Sequence, residues 1–326
     1  QSRALPLAAH DSRRSIGIAM TRMTLFRSRL LPLLLVLAAL PVAAQAQLMP
    51  LLGGQRAGIS SLQFLKIGAG ARAVGMGEAF VAVADDASAL QYNPAGLVQL
   101  EGHQAMFSHT SWLVELQHEF VGVVYRLSPG DAIGVSFVSL HTDDMEVTTE
   151  TQPFGTGRYF SYGDVALGLS YARKLTEQFS FGATVRYVEE TIDVLKTRAV
   201  MIDLGTHYRT GLGSTRFSVA VSNFGNNVSP EGEVTLPRIG VVKDFQEFSP
   251  PTMFRIGFAF EPLQDETNRI TTSIQLNHPN DNSENLVLGA EYAWNEPFFL
   301  RAGYKLNVDE EGLTAGAGIW APIATA

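Results

Sequence analysis

The chain has 326 residues, no cysteine, and 24 basic against 32 acidic side chains, for a net charge of −8. An acidic chain lacks the basic face that binds phosphate backbones, so nucleic acid is excluded as a partner. The absence of cysteine excludes a disulfide scaffold, so we expect a large core or a closed sheet to supply the stability.

A stretch near the N-terminus has the pattern of a secretory signal peptide. Arginines precede the apolar run 30–40, and Ala44 and Ala46 form a small-x-small cleavage site. The run is shorter than the ~20 residues that a transmembrane helix needs. We therefore expect export with cleavage after Ala46, and we assign residues 1–46 to an upstream extension plus a signal peptide.

The next part of the chain is crowded with small side chains and lacks the alternation of a strand. Asp85 or Asp86 is expected to begin a short helix that runs through Tyr92, because carboxylates favour a helix N-terminus. Pro94, directly after Asn93, is expected to open a second short helix. A compact segment of this kind ahead of a barrel predicts a plug in the lumen.

From residue 119 onward, segments of roughly ten residues alternate large apolar side chains with small or polar ones. Successive side chains of a strand point to opposite faces, so each segment predicts a strand with one apolar face. The predicted strands are 104–110, 119–127, 132–141, 145–151, 160–174, 179–190, 198–209, 215–223, 236–242, 252–261, 269–277, 285–294, 298–307 and 312–320. The segments 145–151 and 236–242 have the weakest pattern.

Two architectures fit such strands: a soluble periplasmic β-sandwich with its apolar faces inside, and a membrane β-barrel with its apolar face toward lipid. Segments of about 9–11 residues match a tilted bilayer crossing and favour the barrel. Tyrosines at the ends of the apolar phase suit an interfacial girdle. These tyrosines are Tyr125, Tyr171, Tyr187, Tyr208, Tyr292 and Tyr304. The opposite phase predicts a polar network in the lumen, formed by Arg186, Asp203, His207, Arg209, Arg255, Glu291 and Arg301.

The expected fold is therefore all-β: a transmembrane antiparallel barrel over residues 101–326, with a short N-terminal hatch over residues 47–100 inside its lumen. The chain stops in an alanine- and proline-containing tail rather than in a closing strand. Bacterial barrels prefer an even number of strands. We therefore expect that a C-terminal strand is missing from this sequence.

The run 70–97 resembles the N-terminal signature of the PorV/PorQ family, which belongs to the FadL-like group of outer-membrane barrels. The hatch motif consists of Gly70, Arg72, Gly75, Met76, Gly77, Asp85, Asp86, Asn93 and Pro94. The resemblance implies a barrel of about 14 strands in the bacterial outer membrane, with the hatch in the lumen. It implies no catalytic, cofactor-binding or metal-binding residue.

The resemblance also implies a non-enzymatic role in type IX protein secretion or surface export. The expected partners are outer-membrane lipid, a secretion translocon and its cargo. The alternative is a FadL-like channel for long-chain fatty acids or other hydrophobic small molecules, which would leave through a wall opening lined by the small residues of 312–318. A lower-ranked alternative is a lipopolysaccharide deacylase, which would need a serine–histidine pair that includes His109 or His118.

Several short motifs have a simpler structural interpretation. Residues 68–73 match a dinucleotide fingerprint, but no βαβ unit surrounds them, so we interpret them as a hatch turn. The acidic clusters at 143–146 and 309–311 lack EF-hand spacing and are expected to be solvated loops rather than calcium sites. His103, His109 and His118 are expected to be rim histidines rather than zinc ligands.

Overall fold

The structure is a computed structural model that describes residues 58–236, 240–295, 297–308 and 312–321. The predicted signal peptide with Ala44 and Ala46, the acidic turn at 309–311 and the C-terminal tail lie outside the described residues. Among the described helices, none has the length and apolar character required to cross a bilayer.

Twelve long strands form one antiparallel sheet that follows the chain, with the order β1-β2-β3-β6-β7-β8-β9-β12-β13-β14-β15-β16. The strands are β1 (Gln104–Ser111), β2 (Gln117–Ser128), β3 (Asp131–His141), β4 (Met145–Glu146), β5 (Tyr159–Phe160), β6 (Tyr162–Lys174), β7 (Phe179–Ile192), β8 (Leu195–Arg209), β9 (Arg216–Gly225), β10 (Val234–Leu236), β11 (Gly240–Val242), β12 (Met253–Gln264), β13 (Asn268–Pro279), β14 (Asn285–Trp294), β15 (Phe298–Leu306) and β16 (Leu313–Ile319).

The remaining strands pair in two small hairpins, β4 with β5 and β10 with β11, within long connections. The predicted strands 145–151 and 236–242 were therefore wrong as members of the main sheet. Both segments lack a sustained apolar phase, so neither can present a lipid-facing stripe. Twelve of the fourteen predicted segments join the sheet in the described part of the chain.

The apolar phase of the strands faces outward. On β6, Leu167 and Leu169 are 54% and 63% exposed, whereas Ala166 and Ser170, which flank them, are each 1% exposed. Four of the predicted interfacial tyrosines are exposed on the same outer face: Tyr125, Tyr171, Tyr187 and Tyr208. A sandwich would bury this phase, so the sandwich alternative is wrong and the outward phase matches a membrane barrel.

The two ends of the sheet differ in the length of their connections. At one end, β2–β3, β6–β7 and β12–β13 are joined through residues 129–130, 175–178 and 265–267. At the other end, the β3–β6 and β9–β12 connections span 142–161 and 226–252 and contain the small hairpins. We call these the short-turn end and the long-loop end.

Residues 58–103 precede β1 and form the hatch. Its helical elements are a 3-10 helix (Gln63–Lys66), α1 (Ala71–Gly75), α2 (Ala89–Tyr92) and a second 3-10 helix (Pro94–Gln99). The stretch from Phe80 to Ala84 is at most 1% exposed, and it joins a core that includes inward residues of the strands. The small side chains seen in the sequence therefore pack a plug against the barrel wall.

The sheet curls around the hatch. A Cβ added to Gly70 would lie 2.4 Å from Met106 Cε on β1, and one added to Gly75 would lie 3.1 Å from Gly316 Cα on β16. Both edge strands therefore contact the same short segment. The hatch also reaches the long-loop end, where Ser61 N donates to Ser249 O (3.2 Å).

Candidate functional site

Inward-facing glycines bring the hatch backbone close to the wall. A Cβ on Gly182 would lie 2.4 Å from the carbonyl carbon of Pro94, and one on Gly303 would lie 2.2 Å from the amide nitrogen of Gly77. The other wall glycines in such contact with the hatch are Gly122, Gly134, Gly205, Gly257, Gly289 and Gly316. These eight residues, which we call the glycine belt, occur on β2, β3, β7, β8, β12, β14, β15 and β16.

The first part of the hatch motif shapes the turn around α1. Gly70 and Gly77 have φ angles of +86° and +67°, a region that glycine occupies without strain. Met76 lies between them and is completely buried, and its carbonyl oxygen faces Gly289 of the glycine belt. Gly75 completes the turn against β16. The glycine spacing thus follows from positive φ and from close packing.

Arg72 joins the hatch to the lumen wall through an ionic cluster. Its Nε and Nη2 donate to Glu291 at 2.9 and 3.0 Å, and its Nη1 donates to Asp85 and Asp86 at 2.5 and 2.7 Å. Arg301 donates to the same Glu291 carboxylate at 2.7 Å. Glu291 is 1% exposed, so the cluster satisfies a buried charge from two sides.

The expected helix cap at Asp85 or Asp86 was wrong. The N-cap of α2 is Ser88, and its side chain makes no capping hydrogen bond. Asp86 instead accepts a hydrogen bond from Ser88 N at 2.9 Å, which orders the turn before the helix. Because Arg72 attracts both carboxylates, they serve the ionic cluster rather than the helix terminus.

Asn93 and Pro94 organise the last part of the hatch. The Asn93 side chain accepts from Ala95 N at 3.1 Å, and Pro94 opens the 3-10 helix. Asn93 Nδ2 also donates to the carbonyl oxygens of Val81 (2.8 Å) and Thr206 (3.1 Å). One side chain therefore connects two stretches of the hatch with β8.

The predicted polar residues of the lumen belong to the inward phase of the strands. Arg186 donates to Asp203 (2.8 Å) on β8 and to Gln91 (2.9 Å) of the hatch. Asp203 also accepts from Asn223 N at 2.6 Å. This pair lies on β7 and β8, whereas the Glu291 cluster lies on β14 and β15. The hydrogen bonds of the described residues thus join the predicted lumen residues in more than one group.

The other predicted lumen residues make local contacts. His207 Nδ1 lies 3.1 Å from Ser218 Oγ, and Arg255 donates to Ser222 Oγ at 2.8 Å. Arg209 donates to Gln99 Oε1 at 2.6 Å, near the short-turn end. A period-2 pattern contains no information about which inward side chains meet.

Further anchors of the hatch were not identified from the sequence. Lys66 contacts Asp281 at 2.9 Å, and Glu78 accepts from Lys305 at 2.9 Å. Gln275 Oε1 accepts from the backbone amides of Phe80 and Val81 at 3.0 and 2.9 Å. Most of these partners are more than 190 residues apart, so no local motif signals them.

Asp281 anchors the hatch at the long-loop end. It lies in the β13–β14 connection, and it accepts hydrogen bonds from Ser60, Gln63 and Lys66. Burial alone would raise the pKa of Asp281, but these three donors outweigh burial and hold the pKa below its usual value. The carboxylate therefore stays charged when the hatch is docked.

The three histidines considered as zinc ligands do not converge. His103 stacks on Tyr125 at 4.1 Å, His109 lies 3.1 Å from Glu119, and His118 is buried on the inward face. No group of three histidines, cysteines or carboxylates in the described ranges is arranged to hold a metal ion. Neither His109 nor His118 is hydrogen-bonded to a serine in these ranges.

Comparisons with known families and structures identify the architecture. A family described as type IX secretion system protein PorV matches residues 53–280. The chain belongs to the PorV family. It is an outer-membrane β-barrel protein, consistent with the outward apolar face and the inward hatch. No curated protein matches the sequence.

Solved structures of two other proteins are similar to that of this PorV-family chain. The CymD monoaromatic hydrocarbon channel is 14% identical, with 78% of this chain and 90% of that chain aligned at a TM-score of 0.52. The toluene transporter TodX of Pseudomonas putida is 15% identical over 76% of this chain and 84% of that chain, with a TM-score of 0.47. The CymD similarity establishes the fold alone.

Proposed function

We propose that this PorV-family barrel serves type IX protein secretion without enzymatic activity, by binding the secretion translocon and receiving its cargo. Family membership supports this role, and the hatch on the glycine belt is the observation that carries it. Because the hatch contacts the wall from β1 to β16, folded cargo has no path through this lumen. The barrel then acts as a partner beside the translocon.

The exposed side chains of the long loops suit such a partner. Outer-membrane barrels have short periplasmic turns and longer external loops, so the long-loop end faces the outside. Phe154, in the β3–β6 connection, is 98% exposed, and Leu113, in the β1–β2 connection, is 69% exposed. Aromatic anchors are enriched at protein interfaces, so we assign translocon or cargo contact to this end.

Export through the signal peptide belongs to the same proposal. The mature protein would begin at Gln47, after Ala44 and Ala46 have directed cleavage. N-terminal sequencing of the protein purified from outer membranes tests this step. A mature N-terminus upstream of residue 30 would contradict it.

Co-purification from detergent-solubilised outer membranes tests the secretion role. The expected result is recovery of a very large barrel translocon with the tagged protein, and loss of cargo from the cell surface when the gene is deleted. Phe154→Ser should lower the recovery of the translocon. Leu212→Ser is the matched control, because Leu212 is a 76% exposed apolar residue in a turn at the opposite end.

Recovery of the barrel alone, together with unchanged cargo display after deletion, would contradict the secretion role. The outer-membrane assignment does not depend on this result. Heat-modifiable mobility in gel electrophoresis tests the barrel separately, because a folded barrel migrates differently before and after boiling.

A cavity at the long-loop end favours a second candidate function, a FadL-like channel for hydrophobic molecules. It measures about 400 Å³, and its wall combines the charged residues Lys66, Glu78 and Lys305 with the apolar residues Phe64, Ile67, Trp112, Leu116 and Leu140. A cavity of this volume, with apolar side chains and a few polar groups, is typical of small-molecule sites. Uptake of a long-chain fatty acid that falls on gene deletion, without any effect on cargo display, would favour this function over secretion.

A further inference from the structure

A second cavity lies at the short-turn end, on the far side of the hatch. It measures about 440 Å³ and is bounded by hatch residues Val83 and Gln99 and by the ends of β8, β9, β12 and β13. Its volume is within the range of small-molecule sites. Apart from Asp85, which belongs to the ionic cluster around Glu291, the residues that line it take no part in the glycine belt or in that cluster.

Two arginines of this cavity face each other directly. Arg209 on β8 and Arg216 on β9 are paired in the strand register, an arrangement that destabilises a sheet unless the charges are compensated. Arg216 is compensated, because it contacts Glu261 at 2.8 Å and donates to Ala82 O at 2.9 Å. Within the described ranges, Arg209 makes no ion pair, and it donates to the neutral amide oxygen of Gln99.

Further donors in the cavity are uncommitted. Arg269 lines it and makes no ion pair with any described residue. His207 is 2% exposed, and its Nε2 atom has no hydrogen-bond partner within the described ranges. When Ser218 donates to Nδ1, Nε2 carries the hydrogen and is a buried donor in the wall of the cavity.

Three carboxylates also line the cavity. Asp85 contacts Arg72, and Glu261 contacts Arg216. Glu101 is exposed at the rim. Among the described residues, Arg209 and Arg269 make no ion pair with any of the three, and a buried imidazole lies beside them.

We propose that this cavity binds an oxyanion, the carboxylate or phosphate group of a small molecule, through Arg209, Arg269 and His207. The planar guanidinium fork matches both groups in geometry and forms charge-assisted hydrogen bonds with them. The site opens at the short-turn end, which is the periplasmic end under the loop-length rule. It is independent of the secretion role.

Titration calorimetry of the detergent-solubilised full chain tests the site, with inorganic phosphate and succinate as separate probes at matched ionic strength. We expect saturable binding of at least one probe, which identifies the group recognised. Losing one charge-assisted contact should weaken binding about tenfold or more in Arg209→Gln and in Arg269→Gln. Arg198→Gln, at the long-loop end, is the control and should leave affinity unchanged.

The histidine provides a readout that does not depend on a variant. The imidazole signals of His207 in NMR spectra should shift with either bound probe, while those of His278, at the other end, should not. Arg269 is exposed and has no ion-pair partner in the described ranges, so Arg269→Gln should fold even if Arg209→Gln does not. Absence of saturable binding, or equal affinity in folded Arg269→Gln, would overturn the proposal.

Discussion

Asn93 of the hatch reaches the β8 backbone because Gly205 has no side chain. A Cβ on Gly205 would lie 2.0 Å from Asn93 Oδ1, in the space that the amide uses to donate to the adjacent carbonyl of Thr206. A polar residue of the hatch thus contacts the barrel wall where a glycine leaves room for it. The other members of the glycine belt repeat the close approach.

Gly182→Ala should loosen the hatch. The added methyl group would lie 2.4 Å from the Pro94 carbonyl carbon, and backbone atoms cannot move away as a flexible side chain can. Overpacking of this kind costs about 1–3 kcal/mol. Urea unfolding in detergent and hydrogen exchange of the hatch amides measure the effect. Gly163→Ala is the control, because its nearest neighbour would be 3.9 Å away; equal effects would contradict the close-packing argument.

Glu291→Gln should destabilise the protein by about 3 kcal/mol, since removing one member of a buried ion pair leaves its partner uncompensated. The uncompensated partner is Arg301, because Arg72 keeps Asp85 and Asp86. Denaturant unfolding measures the loss.

Glu189→Gln is the matched control for this change. Glu189 pairs with two basic residues on the surface at the long-loop end, where solvent weakens the interaction. Its replacement should have a much smaller effect than that of Glu291. If the two variants had the same midpoint of denaturant unfolding, the lumen cluster would contribute no more to stability than an ion pair on the surface.

At low pH, the hatch should detach from the wall at the long-loop end. Because the pKa of Asp281 is depressed in the folded protein, its contribution is complete above its unfolded pKa of about 4 and is lost as the pH falls through the folded value. Hydrogen exchange of residues 60–67, corrected for intrinsic rates, should therefore accelerate below about pH 4. Asp281→Asn should show fast exchange of this segment already at pH 7.

Asp265→Asn is the control for the acid experiment. The pKa of Asp265 is also lowered, by hydrogen bonds from the backbone amides of Thr267 and Asn268, but it lies in a turn at the short-turn end. Exchange of residues 60–67 should not change in this variant. If lowering the pH accelerated exchange of residues 60–67 as much in Asp281→Asn as in the unmodified protein, the titration of Asp281 would not be the cause of the acid effect.

The loop-length rule makes a prediction about orientation. The chain has no cysteine, so single cysteines can be introduced without background labelling. On intact cells, a membrane-impermeant maleimide should label Thr151→Cys, in the β3–β6 connection, and should leave Leu212→Cys unlabelled until the cells are lysed. The reverse pattern would place the long loops in the periplasm.

The sequence allowed prediction of the strands because alternation is a local property. Segments such as 164–174 show both where a strand lies and which face is apolar, and the outward exposure of Leu167 and Leu169 agrees with that prediction. The segments with the weakest alternation, 145–151 and 236–242, are those that left the main sheet. Local pattern was thus informative wherever a strand faces lipid on one side.

The contacts inside the lumen were beyond prediction from local pattern. Arg72 and Glu291 are separated by 219 residues, and their meeting depends on how the sheet curls around the hatch. The same holds for Gln275, whose side chain serves two hatch amides. Residue type identified the inward polar positions. Which of these residues contact one another could be read only from the three-dimensional structure.

The order of these elements along the chain has a consequence for biogenesis. The hatch is synthesised first, whereas the strand that carries Glu291 follows more than two hundred residues later. Contacts of such long range form late, because closing large loops costs entropy before any interaction rewards it. The charged and apolar groups of the hatch therefore lack their partners in the wall until the last strands have been made.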